Sequence, residues 1–178
     1  MDKKIKKTQK GFSFLELILA IFIIAFPLLT FIGVIAKSMD HSTESRNTIV
    51  AAGLAQEGVE LIKNVRDNNW AQGMEAFQNL GSNSNCRINY NYDMDDPCSG
   101  GNSLNLYWTE GGFYSHDDSS GELTRFSRKI EISVDEDTRI VTSYVAWEGA
   151  SFPDDSTDCY VANKCVFATI TLTKWGEE

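Results

Sequence analysis

The sequence has little histidine and proline and lacks the short motifs that mark many enzyme sites. There are two histidines and three prolines in 178 residues. The chain contains no HExxH, GxSxG, Walker-type or GxGxxG pattern, which argues against zinc proteases, serine hydrolases and nucleotide-binding loops. The two histidines, His41 and His116, are isolated in the sequence, and we expect surface or loop positions for both. The sequence therefore predicts no enzyme activity, no catalytic residue and no cofactor.

Cysteine is sparse and never occurs as a CxxC pair, so the spacing typical of structural zinc sites is absent. Four cysteines allow three disulfide connectivities, all of them open from sequence. Their even number favours disulfides in an oxidising compartment. We expect the two local pairs, Cys86–Cys98 and Cys159–Cys165, each stabilising by roughly 2–3 kcal/mol in the chain-entropy treatment of short loops.

Positive charge is scarce outside the first ten residues. That segment carries five lysines against one aspartate, a net charge of +4, whereas the whole chain carries −9. Residues 11–178 therefore carry about −13 and would repel phosphate backbones, so we expect no direct nucleic-acid binding. A short basic end before an apolar run is typical of a membrane-orientation signal.

Residues 12–36 form one apolar run whose only charged residue is Glu16. As a helix the run would be about 37 Å long, enough to cross a hydrocarbon core of about 30 Å. Pro27 removes one helical hydrogen bond and crowds the carbonyl of Ile23, so we predict a kink or local melting there. A hydroxyl such as that of Thr30 could satisfy a freed backbone group.

Residues 37–69 predict an amphipathic helix with one packed face. No strong breaker separates it from the apolar run, so one helix from about 13 to 67 is expected. The predicted packed stripe consists of Ile49, Ala52, Ala55, Val59 and Ile62, widened by Val50, Leu54, Leu61 and Val65.

The rest of the chain predicts loops followed by an antiparallel sheet. Residues 70–120 are rich in Asn, Ser, Gly and Asp and favour loops with one to three short strands. Three β-branched, alternating segments follow, within residues 122–134, 138–149 and 165–175, and indicate an antiparallel meander. The amphipathic helix would cover its apolar face, which gives an α+β fold. Trp147 and Trp175 are expected in the core.

Aromatic residues between 90 and 114 allow two interpretations. Core packing and strand pairing explain them most simply, and an adhesive surface is the alternative. The residues are Tyr90, Tyr92, Tyr107, Trp108, Phe113 and Tyr114.

Acidic residues cluster at 93–96, 135–137 and 154–158. The last cluster has oxygen ligands at alternate positions, as calcium loops do, but it lacks the glycine and the distal glutamate of an EF-hand. Asp154 and Asp158 are weak calcium candidates, and a solvated loop is the simpler interpretation. We expect no other metal site.

Three interpretations compete for the N-terminus. A secretory signal peptide could be cleaved after Ala36, but the apolar run is longer than a signal-peptide core and contains Glu16. An unprocessed signal anchor would place the lysines in the cytoplasm and the acidic body outside. Neither interpretation explains the carboxylate.

The stretch Lys10–Glu16, KGFSFLE, after a basic leader and before a long apolar helix, resembles the prepilin class: type IV pilins, minor pilins and pseudopilins. The resemblance covers about 30 residues and implies that a membrane prepilin peptidase cuts between Gly11 and Phe12. The same enzyme would then methylate Phe12, and Glu16 would become the fifth residue of the mature chain. Glycine also suits the cut, because a peptidase needs an unwound bond.

A charge inside a membrane helix costs roughly 2.5–3.5 kcal/mol on insertion scales, so Glu16 needs a reason. In an assembly, Glu16 of one subunit can neutralise the terminal amine on Phe12 of its neighbour. Misregistered packing would leave the carboxylate unpaired, so the pair would set the axial register.

The resemblance implies a minor pilin or pseudopilin of a type IV pilus or of a type II secretion or competence pseudopilus. The position of Pro27 and the cysteine pattern depart from many major pilins and leave the subtype open. Expected partners are the prepilin peptidase, other pilin subunits, the inner-membrane assembly platform and membrane lipid. The alternative is a membrane-anchored extracytoplasmic binding or adhesin module that never polymerises.

The expected precursor crosses the inner membrane once, with its N-terminus in the cytoplasm, and later enters the filament. The predicted segments are a leader (1–11), a transmembrane assembly helix (12–36), an amphipathic helix (37–69) and an extracytoplasmic headgroup (70–178).

Overall fold

The computed structural model describes residues 13–92, 97–98, 103–153 and 155–174. The chain divides into two compact units, Met1–Glu44 and Ser45–Glu178. Its elements confirm the α+β prediction. They are the helix α1 (Phe14–Ala71) and the strands β1 (Asn83–Cys86), β2 (Asn105–Thr109), β3 (Tyr114–Ser115), β4 (Gly121–Asp135), β5 (Thr138–Trp147) and β6 (Cys165–Thr173).

The six strands form one antiparallel sheet in the order β3-β2-β4-β5-β6, and β1 pairs with β4 beside β2. The predicted meander is present as β4, β5 and β6. A tight turn with Glu136 at φ 45° joins β4 to β5. β5 and β6 then pair without a break from Thr138↔Thr173 to Ala146↔Cys165. The loop region before β4 contributes β1 to β3, within the range of one to three strands expected.

The helix ends four residues beyond the predicted position. Val65 and Asn69 continue its inward face, and both are fully buried. The Asn69 side chain donates to the carbonyl oxygens of Ala76 and Gln78, at 3.3 and 2.9 Å. Gly73, at φ 71°, supplies the left-handed conformation in which the chain leaves the last turn. The extra helical turn therefore depends on contacts that arise only in the folded chain.

The core lies between the second part of α1 and one face of the sheet. Packing of this amphipathic segment on the sheet confirms the predicted cover. Two clusters of buried residues make up most of the core. One contains Leu61, Ile62, Val65, Phe77, Leu80, Cys86, Ile88, Ile130, Ile132, Val141 and Leu172. The other contains Ala51, Leu54, Ala55, Leu106, Phe126, Val145 and Trp147.

Trp147 is 1% exposed, as predicted, and Trp175 lies outside the described residues. The predicted stripe is wrong at one edge: Ile49 is 72% exposed, and Val50 and Ala52 are also exposed. Around Ile49 the apolar residues extend beyond one face of the helix, so periodicity alone could not decide which of them the sheet would cover.

His116 lies in a loop, in line with one half of the expectation of a surface or loop position, but its side chain is not at the surface. The side chain directly follows β3 and is 5% exposed. Its backbone N–H donates to Asn89 Oδ1 at 2.8 Å, and its Nδ1 lies 3.2 Å from the carbonyl oxygen of Asn105. Burial lowers the pKa of His116 to about 3, and the nearby charges of Arg128 and Arg87 act in the same direction. The ring is therefore neutral near pH 7. His41 is exposed on α1, in line with expectation.

Candidate assembly helix and its attachment to the sheet

The first part of α1 exposes a long apolar surface in which Glu16 is the one charged residue. Every large apolar side chain from Phe14 to Ile35 is between 45% and 77% exposed. In length and composition α1 is a candidate membrane span, and no residue of its most apolar 18-residue window is buried. A soluble surface seldom exposes this much contiguous apolar area, so the segment is a candidate for a membrane or protein contact.

Glu16 lies in the first turn of α1 and is exposed. The helix begins immediately before it, with the backbone N–H of Leu17 donating to the carbonyl oxygen of Ser13 at 3.2 Å. A carboxylate in this turn interacts favourably with the positive end of the helix dipole. Gly11 and Phe12, the predicted cleavage and methylation positions, lie outside the described residues.

Pro27 does not melt the helix, because α1 is helical on both sides of it. The hydroxyl of Thr30 donates to the carbonyl oxygen of Pro27 itself at 2.8 Å. It therefore does not serve the carbonyl of Ile23, which the missing proline N–H leaves without its usual donor. A bend at Pro27 within a continuous helix stays a prediction.

A buried arginine joins the second part of α1 to the sheet. Arg128, on β4, is fully buried, and its Nη1 lies 3.1 Å from Glu57 Oε1 on the helix. The same side chain donates to the carbonyl oxygens of Leu54 and Ile88, at 3.4 and 2.9 Å. Burial lowers the pKa of Arg128, and the charge of Glu57 opposes this. One guanidinium thus holds together the helix, β4 and the segment after β1.

Gly58 lets the helix lie close to the sheet at this point. A Cβ atom there would collide with Oγ of Ser143 and would lie 3.1 Å from Cδ of Arg128 and 3.2 Å from Cδ1 of Ile130. Glycine in a helix interior costs about 1 kcal/mol relative to alanine. The close approach explains why the chain retains it at this position.

Arg128 is not among the residues predicted to be functional, although the strand pattern indicates that its side chain is buried. Side chains two residues apart on a strand share a face. Arg128 therefore points the same way as Ile130 and Ile132, toward the core. An arginine in phase with buried isoleucines indicates an internal charge that needs partners.

The structure contains the two local disulfides, Cys86–Cys98 and Cys159–Cys165, and no described cysteine is free. Cys86 is fully buried in the larger core cluster, so the first bridge ties the following loop to the core. The second joins the segment before β6 to its first residue and packs with Tyr144. Each bridge fixes a loop that has little regular structure of its own.

The calcium candidates do not form a recognisable site among the described residues. Asp154 lies outside them, and the carbonyl oxygen of Asp158 accepts a hydrogen bond from Asn163 at 2.9 Å. Asp155 accepts from the backbone N–H of Thr157 at 2.9 Å, and hydrogen bonds from Thr157 lower its pKa. Within the described ranges, no three His, Cys, Asp or Glu side chains come together as metal ligands would.

No protein-family model, curated protein or solved structure matches the chain. The architecture itself is pilin-like, with a long helix that starts apolar and packs its later part on an antiparallel sheet.

Proposed function

We propose that the chain is a minor pilin or pseudopilin that assembles through α1 into a type IV pilus or a related secretion or uptake pseudopilus. The carrying observation is the exposed apolar start of α1, with a single carboxylate, Glu16, in its first turn. A simple membrane anchor gains only the helix-dipole interaction from this charge, whereas an assembling subunit can also pair it with a neighbour's terminal amine. The KGFSFLE stretch and the pilin-like architecture support the proposal.

In this proposal the chain is made as a precursor that crosses the inner membrane once, with its basic leader in the cytoplasm. Prepilin peptidase cuts between Gly11 and Phe12 and methylates the new amine. The assembly platform then lifts the subunit from lipid into the filament, where Glu16 meets the Phe12 amine of a neighbour. A shift of one subunit along its neighbour would separate the two charges and leave each without a partner, which costs free energy.

Processing is tested by the intact mass of the protein recovered from cells that carry the peptidase. The expected mature chain starts at Phe12 and carries one added methyl group. A start at Lys37 would show an ordinary signal peptide, and an uncut chain would show a plain anchor. Either result would contradict the proposal.

Assembly is tested by Glu16→Ala in cells that form the filament. We expect normal membrane insertion but loss of the subunit from sheared filaments, because the neighbour's amine would lack its counter-charge. Asp40→Ala is the matched control, since Asp40 is an exposed acid on the same helix. Unchanged incorporation of Glu16→Ala would favour the alternative, an anchored binding module that does not polymerise.

A further inference from the structure

A groove of about 940 Å³ opens on the side of the sheet that carries β3. It is lined from the loop before β2, from the β2–β3 hairpin and from the start of β4. Three aromatic side chains contribute to it: Tyr90, Trp108 and Phe113. Three carboxylates also contribute: Glu110, Asp117 and Glu122. Among the described lining residues there is no lysine or arginine, so the groove is negative as well as aromatic.

The aromatic rings are exposed and held in place. Trp108 is 46% exposed and Tyr90 is 56% exposed, so core packing does not account for these two residues, although Trp108 lies in a paired strand, as the strand-pairing part of the expectation has it. Trp108 is fixed edge-to-face against Tyr114 at 5.0 Å between ring centroids. Tyr90 is fixed in the same manner against Phe113 at 4.1 Å. Rings that are exposed yet braced offer a π-face to a ligand with little loss of side-chain entropy.

One of the carboxylates stands beside the tryptophan. Trp108 on β2 is the direct cross-strand partner of Glu122 on β4, so their side chains share a face of the sheet about 5 Å apart at Cβ. Glu110 follows β2 by one residue, on the hairpin turn. Neither the Glu110 nor the Glu122 side chain makes a hydrogen bond or ion pair with a residue that the structure describes. Their charges are therefore not neutralised from within the described chain.

From this geometry we infer that the groove binds an organic ammonium ion, with a quaternary ammonium group of the choline type as the best-fitting class. The cation would lie over the ring of Trp108, with Glu122 supplying the opposite charge. A quaternary ammonium has no N–H to donate and is weakly hydrated, so an aromatic face suits it better than a carboxylate alone. The net negative groove favours a cation over a zwitterion, so we expect free choline to bind better than phosphocholine. This inference does not depend on whether the chain polymerises.

The test is a calorimetric titration of the full chain in micelles of a polyoxyethylene ether, a detergent without sugar or choline groups. The probes are choline, phosphocholine, the neutral isostere 3,3-dimethylbutan-1-ol and N-acetylglucosamine. We expect choline to bind most tightly, with the neutral isostere weaker by at least about fivefold, because only the positive charge distinguishes the two. Absence of choline binding, equal binding of the isostere, or tighter binding of phosphocholine or the sugar would each overturn the inference.

Variants locate the site. Trp108→Leu and Glu122→Gln should each weaken choline binding by about threefold or more. The matched controls are Trp70→Leu, since Trp70 is 61% exposed outside the groove, and Glu136→Gln on the β4–β5 turn. Urea midpoints equal to that of the parent chain verify that the variants fold. If the controls lost as much choline affinity, or if Trp108→Leu lost none, the choline site would not lie over Trp108.

Discussion

The two parts of α1 are one helix in sequence but obtain their stability from different sources. From Phe14 to Ile35 the large apolar side chains are exposed, and no described residue of the chain covers them. From Ala51 to Asn69 one face is buried against the sheet and its loops. Burial of a large aliphatic side chain contributes about 1.5–3 kcal/mol, so the later part is stabilised within the chain. No described residue gives the earlier part comparable burial, and in the proposed function lipid or neighbouring subunits would supply it.

This difference teaches that apolar content and helix length do not by themselves assign a helix to the interior or to a membrane. The interior part carries one apolar face and an internal charge pair, whereas the exposed part is apolar on every side except at Glu16 in its first turn. Substitutions in the two parts should therefore differ in their effect on the free energy of unfolding.

The largest expected effect comes from Ile62→Ala, which should lower the free energy of unfolding by about 2–5 kcal/mol because Ile62 is fully buried. Ile24→Ala, at a site 62% exposed, should leave it within about 0.5 kcal/mol. Urea unfolding of the full chain in non-ionic micelles, followed by tryptophan fluorescence, measures both. Similar losses in the two variants would remove the distinction between the parts of α1.

Arg128→Ala should cost about 3 kcal/mol, because it leaves a void and removes a donor from two carbonyl oxygens and from Glu57. The control is Arg125→Ala on the same strand, where the side chain is 53% exposed. That change should cost less than about 1 kcal/mol. A loss in Arg128→Ala no larger than in the control would show that the guanidinium does not hold α1 to the sheet.

Two glycines of α1 should respond in opposite directions to alanine. Gly58→Ala should destabilise by about 1–3 kcal/mol, because its Cβ collides with Ser143. Gly53→Ala should stabilise by up to about 1 kcal/mol, because nothing lies within 4 Å of the new Cβ atom. Thermal melts of both variants test the contrast, and a rise in melting temperature for Gly58→Ala would contradict the close helix–sheet approach.

The last expected effect is a pH dependence carried by His116, which is spread over several pH units. Its pKa is about 3 when folded against 6.5 for the free side chain, so the unfolded chain binds the extra proton first. The contribution to stability is fully present above about pH 6.5 and falls as the pH drops toward 3, by at most about 1.4 kcal/mol per pH unit. Between about pH 7 and 4, urea unfolding should show that the free energy of unfolding falls less steeply in His116→Gln than in the parent chain. Parallel losses in the two proteins would show that His116 is accessible to protons in the fold.

Elements with strong local patterns could be predicted from sequence. The alternation around Ile130 and Ile132 predicted β4, and the long run from residue 13 predicted the helix. The local disulfides also followed from spacing, because short loops between cysteines close most easily.

Burial at single positions could not be predicted in the same way. His116 is buried because the chain brings Asn89 and Asn105 together around it, and these contacts join residues distant in sequence. Ile49 is exposed because the sheet covers only one face of an apolar turn. The groove beside Trp108 arises from three segments, none of which carries a recognisable motif by itself.

The close contact at Gly58 has a consequence for how such a sequence can diverge. Gly58 on the helix meets Ser143 on β5 and Arg128 on β4, while Arg128 in turn is paired with Glu57. None of these positions can change freely by itself. Among natural relatives we expect coupled substitution: a larger residue at 58 accompanied by a smaller one at 143, and loss of the arginine accompanied by loss of the acid at 57. Covariation of these four positions would record the helix–sheet distance as an inherited constraint.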